Sequence, residues 1–400
     1  MKKIKIKNSR TIVQILIFAS LVGIVTIYNL YIEGKIDFKI LSIGDMNPYG
    51  GWSVLHSFAT DSSHVFEGIS RSVALTIAII VMAIIGGRFF CGWICPVGAL
   101  QDFTSWIGSK LKINNNCDMK IKRMSLSFIK YPLLLLILLS SIFGYGSVFA
   151  ELSPWRALLN LHNMGSTWEE MKIGFMVLIG ILVVSVFISR MFCRYLCPLG
   201  AVQSLFSSIS ILNIKHSNVC TSCNKCLDTC SVGLQFSSDS TAVSPECIRC
   251  LKCVENCKVS KEIRTSINFG KAKLKKYAYI TLMISVFFSI LLGAPKVLGI
   301  QASTEDILLK PLRDGIYEGE AKGFAGKIIT EVRISDGKII EIEIIDHSES
   351  KGWYDEVFMI LPREIINRQR LSVDAISGAT KTSRGLTQSI ENAIRKAYDK

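Results

Sequence analysis

Histidine is nearly missing from this chain, with five among 400 residues: His56, His64, His162, His216 and His347. None falls inside a long apolar run, which argues against an internal haem pair, because haem iron ordinarily takes imidazole ligands. Cysteine is missing from both ends. All 13 cysteines lie between Cys91 and Cys257. That leaves no exported disulfide framework, and it leaves thiolates available for ligation on a reducing side. Acidic residues are also short, 32 Asp and Glu against 46 Lys and Arg, for a net charge of +14. No nucleic-acid-binding motif accompanies this excess, so no nucleic-acid partner is expected.

What is abundant is apolar sequence. Five stretches carry no charge: Thr11–Ile32, Ser72–Gly87, Tyr131–Ala150, Ile173–Ser189 and Tyr277–Pro295. A helix needs about 20 residues to cross a hydrocarbon layer of about 30 Å. Arg71, Arg88, Lys172 and Arg190 bound the two shorter stretches and can snorkel to the interface. The expectation is a multidomain membrane protein with a bundle of five transmembrane helices at 11–32, 71–90, 131–150, 173–190 and 277–296. Lys and Arg cluster in residues 1–10, in 91–130 and between 215 and 276, and thin out in 33–70 and 151–172. The positive-inside rule then predicts a cytoplasmic N-terminus, two exported loops and an exported segment at 300–400. The first run is long for a signal peptide and reads as an uncleaved anchor.

Two cysteine runs carry the clearest chemistry: Cys220, Cys223, Cys226 and Cys230, then Cys247, Cys250, Cys253 and Cys257. Both have the spacing C-x2-C-x2-C-x3-C by which bacterial ferredoxins hold a pair of [4Fe–4S] clusters. Three closely spaced thiolates wrap one cube and the fourth crosses to its neighbour. Cluster one is therefore assigned Cys220, Cys223, Cys226 and Cys257; cluster two takes Cys247, Cys250, Cys253 and Cys230. Zinc or a disulfide knot would suit an isolated C-x2-C better than two complete runs. Ser231 and Lys258 stand where ferredoxins usually carry Pro, which alters the exit turn and removes no ligand. Residues 215–262 are thus an inserted ferredoxin-like module.

An element is also duplicated. Arg88–Gln101 reads RFFCGWICPVGALQ and Arg190–Gln203 reads RMFCRYLCPLGAVQ. If helical, each places two cysteines one turn apart, Cys91 with Cys95 and Cys193 with Cys197. Pro96 and Pro198 end one segment and begin the next. The segments that follow, Val97–Leu111 and Leu199–Leu212, are amphipathic and are expected along the membrane surface. Two spans plus this element, used twice in one orientation, imply a pseudo-two-fold axis along the membrane normal. The four thiols serve an additional iron–sulfur centre, a dithiol pair, or packing; Cys117 is read as a free thiol. This part resembles the membrane polyferredoxins of nitrate and nitrous-oxide respiration (NosR/NapH-like), over roughly residues 70–260. The resemblance implies electron exchange with a quinone pool and redox partner proteins.

Past the fifth run the composition turns to that of a soluble α+β domain. Lys327–Ile334 and Lys338–Ile345 flank Ser335-Asp336-Gly337, which predicts a hairpin, with helices at about Tyr354–Gln369 and Gly385–Tyr398. The run Asp374-Ala375-Ile376-Ser377-Gly378-Ala379-Thr380 resembles the signature of the FMN-binding domains of the NqrC/RnfG-like family. In that family an exported FAD:protein FMN transferase joins FMN to the last Thr. The resemblance implies covalent FMN on Thr380, with Ser377, Gly378 and Ala379 lining it and Glu349 nearby. A helix beginning near Ser383 would offer its N–H groups to the phosphate.

Clusters move single electrons and flavin accepts one or two. The expected function is electron transfer between cytoplasmic [4Fe–4S] clusters and an extracytoplasmic FMN, within the cytoplasmic membrane of a bacterium. The chain then acts as a component of an oxidoreductase system, with no catalytic residue assigned. About 30 Å of hydrocarbon demands an intermediate stop: a centre on the repeat cysteines, a bound quinone or a partner subunit. The alternatives are a redox-sensing membrane protein and an exported flavin reductase of a small acceptor. His56, His64 and His162 could serve a quinone or metal, or be surface residues. Partners are lipid, the flavin transferase, and unassigned electron donors and acceptors.

Overall fold

The computed structural model describes residues 6–32, 35–36, 44–49, 71–112, 127–142, 152–161, 164–215, 225–234, 244–256, 266–269, 272–274, 276–298, 312–349, 354–369, 371 and 380–398. Cys117, Cys220, Cys223, Cys257, Ser377, Gly378, Ala379, His56, His64, His162 and His216 lie outside them.

A helix forms on each of the five apolar runs: α1 (Ile6–Ile32), α2 (Arg71–Gly86), α5 (Lys130–Ile142), α7 (Met164–Phe187) and α12 (Lys276–Leu298). Between them lie α3 (Phe89–Trp93), α4 (Pro96–Lys110), α6 (Pro154–Leu159), α8 (Met191–Tyr195) and α9 (Pro198–Ser207). Among the described residues one segment, Ser9–Tyr31, is long and apolar enough to cross a membrane by itself; the apolar parts of the other four are shorter.

The repeat is visible in the packing, and it is crossed. Helix α4 of the first copy lies along α7 of the second, and α9 of the second lies along α2 of the first. At Gly108 the approach is so close that a Cβ would collide with the Val186 carbonyl, which is why a residue without a side chain stands there. Ser105 and Ser189 share a hydrogen bond of 2.9 Å nearby. The two helices after the prolines were expected along a membrane surface. Here each is half sunk into the opposite copy, with Pro96, Val97, Gly98 and Gln101 buried in α4 and Phe103 and Trp106 exposed.

The ferredoxin-like segment hangs from a neck. Strand β1 (Leu212–Lys215) leaves the second copy, and β2 (Ser266–Phe269) returns antiparallel to it and pairs with β3 (Ala272–Leu274). Within it α10 (Lys225–Asp228) and α11 (Lys252–Asn256) are single turns.

The second unit is a three-stranded antiparallel sheet, β4 (Gly315–Lys322), β5 (Lys327–Ser335) and β6 (Lys338–His347). Ser335 pairs with Lys338, so the loop is Asp336-Gly337, both with positive φ (52° and 69°). That is the I′ geometry which matches strand twist. Helix α13 (Asp355–Arg368) covers β6, and α14 (Thr380–Tyr398) covers β4 and β5.

Helix α1 touches both ends of the molecule. Near its start, Arg10 Nε donates to the Gly92 carbonyl at 2.8 Å, and the helix packs against α11 of the ferredoxin-like segment. At its end, Tyr31 Oη donates to Glu364 Oε1 of α13 at 3.4 Å.

Candidate functional site

The residue before a proline is pushed out of the helical region, and this breaks the expected one-turn pairing of cysteines. Cys91 lies in α3, but Cys95 is extended (φ −60°, ψ 117°) and caps α4; Cys197 likewise caps α9 (φ −69°, ψ 114°). The Gly200 N–H donates to Cys197 Sγ at 3.3 Å. Two of the four thiols therefore sit at helix N-termini, where the backbone dipole favours negative charge.

Arginines cross between the copies. Arg88 donates to the Cys193 carbonyl (3.2 Å), and Arg190 donates to the Cys91 carbonyl (2.5 Å). Both are fully buried, and each has a carboxylate partner. Arg190 holds Asp102 (Nε to Oδ1, 3.0 Å; Nη2 to Oδ2, 2.5 Å), and Arg10 pairs with the same group. Arg88 holds Glu246 at 2.7 Å, together with Lys130 and the Tyr131 hydroxyl. Burial works against charge on these carboxyls. The neighbouring cations outweigh it, Arg10 and Arg190 at Asp102 and Arg88 with Lys130 at Glu246, and hold both below the usual carboxylate range. Gln101 Nε2 donates to Cys193 Sγ at 3.2 Å. Its repeat mate Gln203 is equally buried, and its amide atoms have no hydrogen-bond partner among the described residues.

The four thiols are buried and none is in a disulfide. Burial first, then the neighbouring thiols, push Cys95 and Cys193 up and Cys197 to about 12. Thiols held up in this way ionise in place only if a cation takes the proton's place. Among the described residues no three of these side chains stand at mutual ligating distance.

The ferredoxin-like cysteines adjoin this site. A Cβ on Gly92 would strike the Ile248 carbonyl, and Trp93 Nε1 donates to the Arg249 carbonyl at 3.0 Å. Cys91, Cys230, Val232, Ile248 and Cys250 pack as one cluster. The Cys247–Cys253 loop passes through positive φ at Arg249 (53°) and Leu251 (60°), and the Arg249 N–H points to Cys247 Sγ at 3.4 Å. Burial pushes Cys247 up to about 11 and Cys253 well above its ordinary value, with Cys250 and Cys230 among the thiols adding to Cys253. Cys226 and Cys253 are half-buried.

In the sheet domain Thr380 opens α14, three residues earlier than Ser383, and no acidic residue occupies the first turn. A 19-residue helix beginning there presents N–H donors to an anion. Glu349 is buried and braced on both oxygens. The Ala325 N–H donates to Oε1 at 3.0 Å, and the Thr382 hydroxyl donates to Oε2. It ties the Gly323–Gly326 loop to the start of α14.

Known proteins match these two regions separately. A 4Fe-4S binding domain matches residues 71–114 and again 172–215, the two copies of the repeat, and an FMN-binding domain matches 323–395. The protein MJ0750 of Methanocaldococcus jannaschii is 30% identical over 171 residues, 42% of this chain and 69% of that protein. The ferredoxin-type protein NapH of Haemophilus influenzae is 28% identical over 162 residues. The chain belongs to the NapH-like polyferredoxin family. The methylamine utilization ferredoxin-type protein MauN of Methylorubrum extorquens is 29% identical over 150 residues. The family match covers 40% of this chain and 52% of NapH, and 37% of this chain and 49% of MauN. This polyferredoxin is an electron-transport protein with 4Fe-4S and FMN-binding domains.

Sequence reasoning missed Asp102 and Glu246 altogether. It took Arg88 and Arg190 as span ends that snorkel to the interface, whereas both are buried and bonded across the copies, and it noted Gln101 and Gln203 only as residues shared by the two copies. That sharing was the available signal, since residues retained at one repeat position tend to serve the same task in each half.

Proposed function

We propose that this chain conducts electrons across a membrane, between iron–sulfur clusters on the cytoplasmic side and an FMN esterified to Thr380 on the other. The observation that carries this is the reach of α1. Arg10 is bonded beside the ferredoxin-like segment and Tyr31 beside the flavin domain. At about 1.5 Å per residue they stand roughly 32 Å apart, close to the ~30 Å of a hydrocarbon core. The multi-pass bundle is part of the same reading, with the four shorter helices supported by their neighbours.

Bound iron–sulfur groups and flavin supply the electron-carrying chemistry. The chain's own residues hold them. Cys230, Cys247, Cys250 and Cys253 form one ligand set, and Cys226 with Cys220, Cys223 and Cys257 forms the second. Cys91, Cys95, Cys193 and Cys197 would supply the intermediate stop between the repeats, as a third centre once drawn together or as a dithiol pair. Arg88 and Arg190 compensate its negative charge, and the α4 and α9 N-termini add to that. Glu349 braces the loop beside Thr380, and the flavin transferase acts on Thr380 from outside.

The test uses sealed vesicles of both orientations carrying the full chain. Protease added outside right-side-out vesicles should remove the flavin domain and spare the cysteine segment. An impermeant oxidant outside should drain electrons supplied inside. Flavin and clusters found on one side would overturn the reading, and transfer absent from loaded vesicles would favour a sensor.

A further inference from the structure

The loop between β4 and β5 is pinned from several sides. Lys322 pairs with Lys327, so residues 323–326 alone make the connection. The Gly323 N–H donates to the Gly326 carbonyl at 2.7 Å and closes the turn. Both glycines answer to close neighbours. A Cβ on Gly323 would strike Glu349 Oε1, and one on Gly326 would strike the Ser348 side chain. The Ala325 N–H donates to Glu349 Oε1 at 3.0 Å, and Glu349 Oε2 accepts from the Thr382 hydroxyl. From the helix side, Gly385 approaches so closely that a Cβ on it would meet Gly323 Cα.

These contacts flank Phe324 and leave its ring out. Residue 323 is seated against Gly385, and residue 325 is joined through Glu349 to Thr382. Phe324 is therefore fixed beside the first turns of α14, yet it is 56% exposed. A lone exposed Phe on a free loop needs no explanation. This loop is not free, and the attachment point of a planar aromatic group stands next to it. Thr380 precedes Thr382 by two residues, about 3 Å along the helix. A ring tethered there by a ribityl phosphate is within reach of the loop.

We propose that Phe324 is the stacking wall of the flavin: its ring covers one face of the isoalloxazine, and Glu349 is the positioning residue that holds this wall to the start of α14. The inference rests on the reading of FMN at Thr380 and deepens it. Two flat π-systems in offset contact remove apolar area from water on both, and their quadrupoles favour that arrangement. A carboxylate suits the brace because it accepts from the Ala325 N–H and the Thr382 hydroxyl at once, and bonds to an ionised acceptor are the stronger kind.

The test uses the full chain, flavinylated and purified in detergent. Indole quenches flavin emission on contact, so Phe324→Trp should lower native flavin fluorescence several-fold, with full recovery in a denaturing gel. Ile340→Trp, at a residue of similar exposure (50%) near the opposite end of the sheet, should leave it unchanged. Phe324→Ala should raise quenching by iodide about twofold, since a covered face of the ring becomes open, with in-gel flavin unchanged. Glu349→Ala should raise it as much, and Phe324→Ala added to it should contribute nothing further, because both act through one contact. Glu349→Gln keeps an oxygen for the Ala325 N–H and an amide for the Thr382 hydroxyl, and should restore the parent's value. Native fluorescence unmoved by Phe324→Trp, or iodide quenching indifferent to Phe324→Ala, would overturn the wall. Additive effects of Glu349→Ala and Phe324→Ala would overturn the brace. A parent without in-gel fluorescence would instead overturn the flavin reading beneath them both.

Discussion

The two halves of this molecule build their interiors differently. Around the repeat, fully buried Arg88, Arg190 and Lys130 are matched with Asp102 and Glu246. In the flavin domain the interior is aliphatic, with Ile328, Val332, Ile334, Ile339, Val357, Leu361, Leu386, Ile390 and Ile394, relieved by the Thr330–Ser389 hydroxyl pair at 2.7 Å and by Glu349. A sheet covered by two helices needs only alternation to close. A core that buries Arg88, Arg190 and Lys130 must also answer their charge. Buried ion pairs are weak sources of net stability but strong sources of specificity in geometry when every member is satisfied.

The sharpest break between the halves is chemical. Thr380→Val should abolish covalent in-gel flavin fluorescence completely and leave iron untouched. Cys95→Ser with Cys197→Ser should do the converse, removing the iron of one centre by metal quantitation while flavin fluorescence persists. Cys250→Ser should remove the iron of a different centre. Fluorescence surviving Thr380→Val, or unchanged iron in the cysteine double variant, would unmake the assignment concerned.

Next in size is the clamp. Asp102→Asn leaves Arg10 and Arg190 buried with their shared counter-charge gone, at a cost of about 3–5 kcal/mol. Thermal unfolding of the repeat region should shift down accordingly, while the flavin domain's transition stays. Replacing both members of the Thr330–Ser389 pair, by Val and Ala, should be nearly neutral by comparison, since no buried donor is stranded.

The same clamp dictates a pH response. Asp102 and Glu246 ionise more readily folded than unfolded. Their stabilisation is fully present above the unfolded values of about 3.9 and 4.3. It is lost as pH falls below them toward the folded values. Melting temperature should therefore drop on the acid side of about pH 4, and Glu246→Gln should lower the neutral value and flatten the acid limb. A variant whose acid limb matches the parent's would show that these carboxylates are not what acid titrates.

How far the sequence could carry this follows from the range of each interaction. The Asp336-Gly337 turn, the apolar runs and the cysteine spacings are local, and residues a few positions apart decide them. The duplication exposed Arg88 and Arg190 as a pair, but not what they hold. Asp102 lies 88 positions from Arg190, and Glu246 lies 158 from Arg88; no local period connects such partners. Tyr49 stands in a loop that sequence reading placed outside. Only the packing of Ser72, Thr76 and Trp155 on the turn 46–49 fixes its place against the core. The start of α14 shows the opposite error. The helix was expected to begin between Ser383 and Gly385, yet it begins at Thr380, because packing on β4 and β5 outweighs weak local propensity.

The smallest test isolates the contrast between buried and exposed charge. Glu391 and Arg395 lie one turn apart on the outer face of α14, with Arg395 Nη2 at 2.7 Å from Glu391 Oε1. The geometry is as good as that of Arg88 with Glu246, at the same distance. Yet the Arg395 side chain is 65% exposed, so water and salt screen the pair and side-chain entropy opposes it. Glu391→Gln should cost no more than about 0.5 kcal/mol, and that cost should vanish at high salt. The Asp102→Asn cost should survive the same salt, because no solvent ion reaches Arg190. Equal salt sensitivity of the two variants in chemical denaturation would mean that water enters the repeat core, and the clamp would then no longer account for how that core is specified.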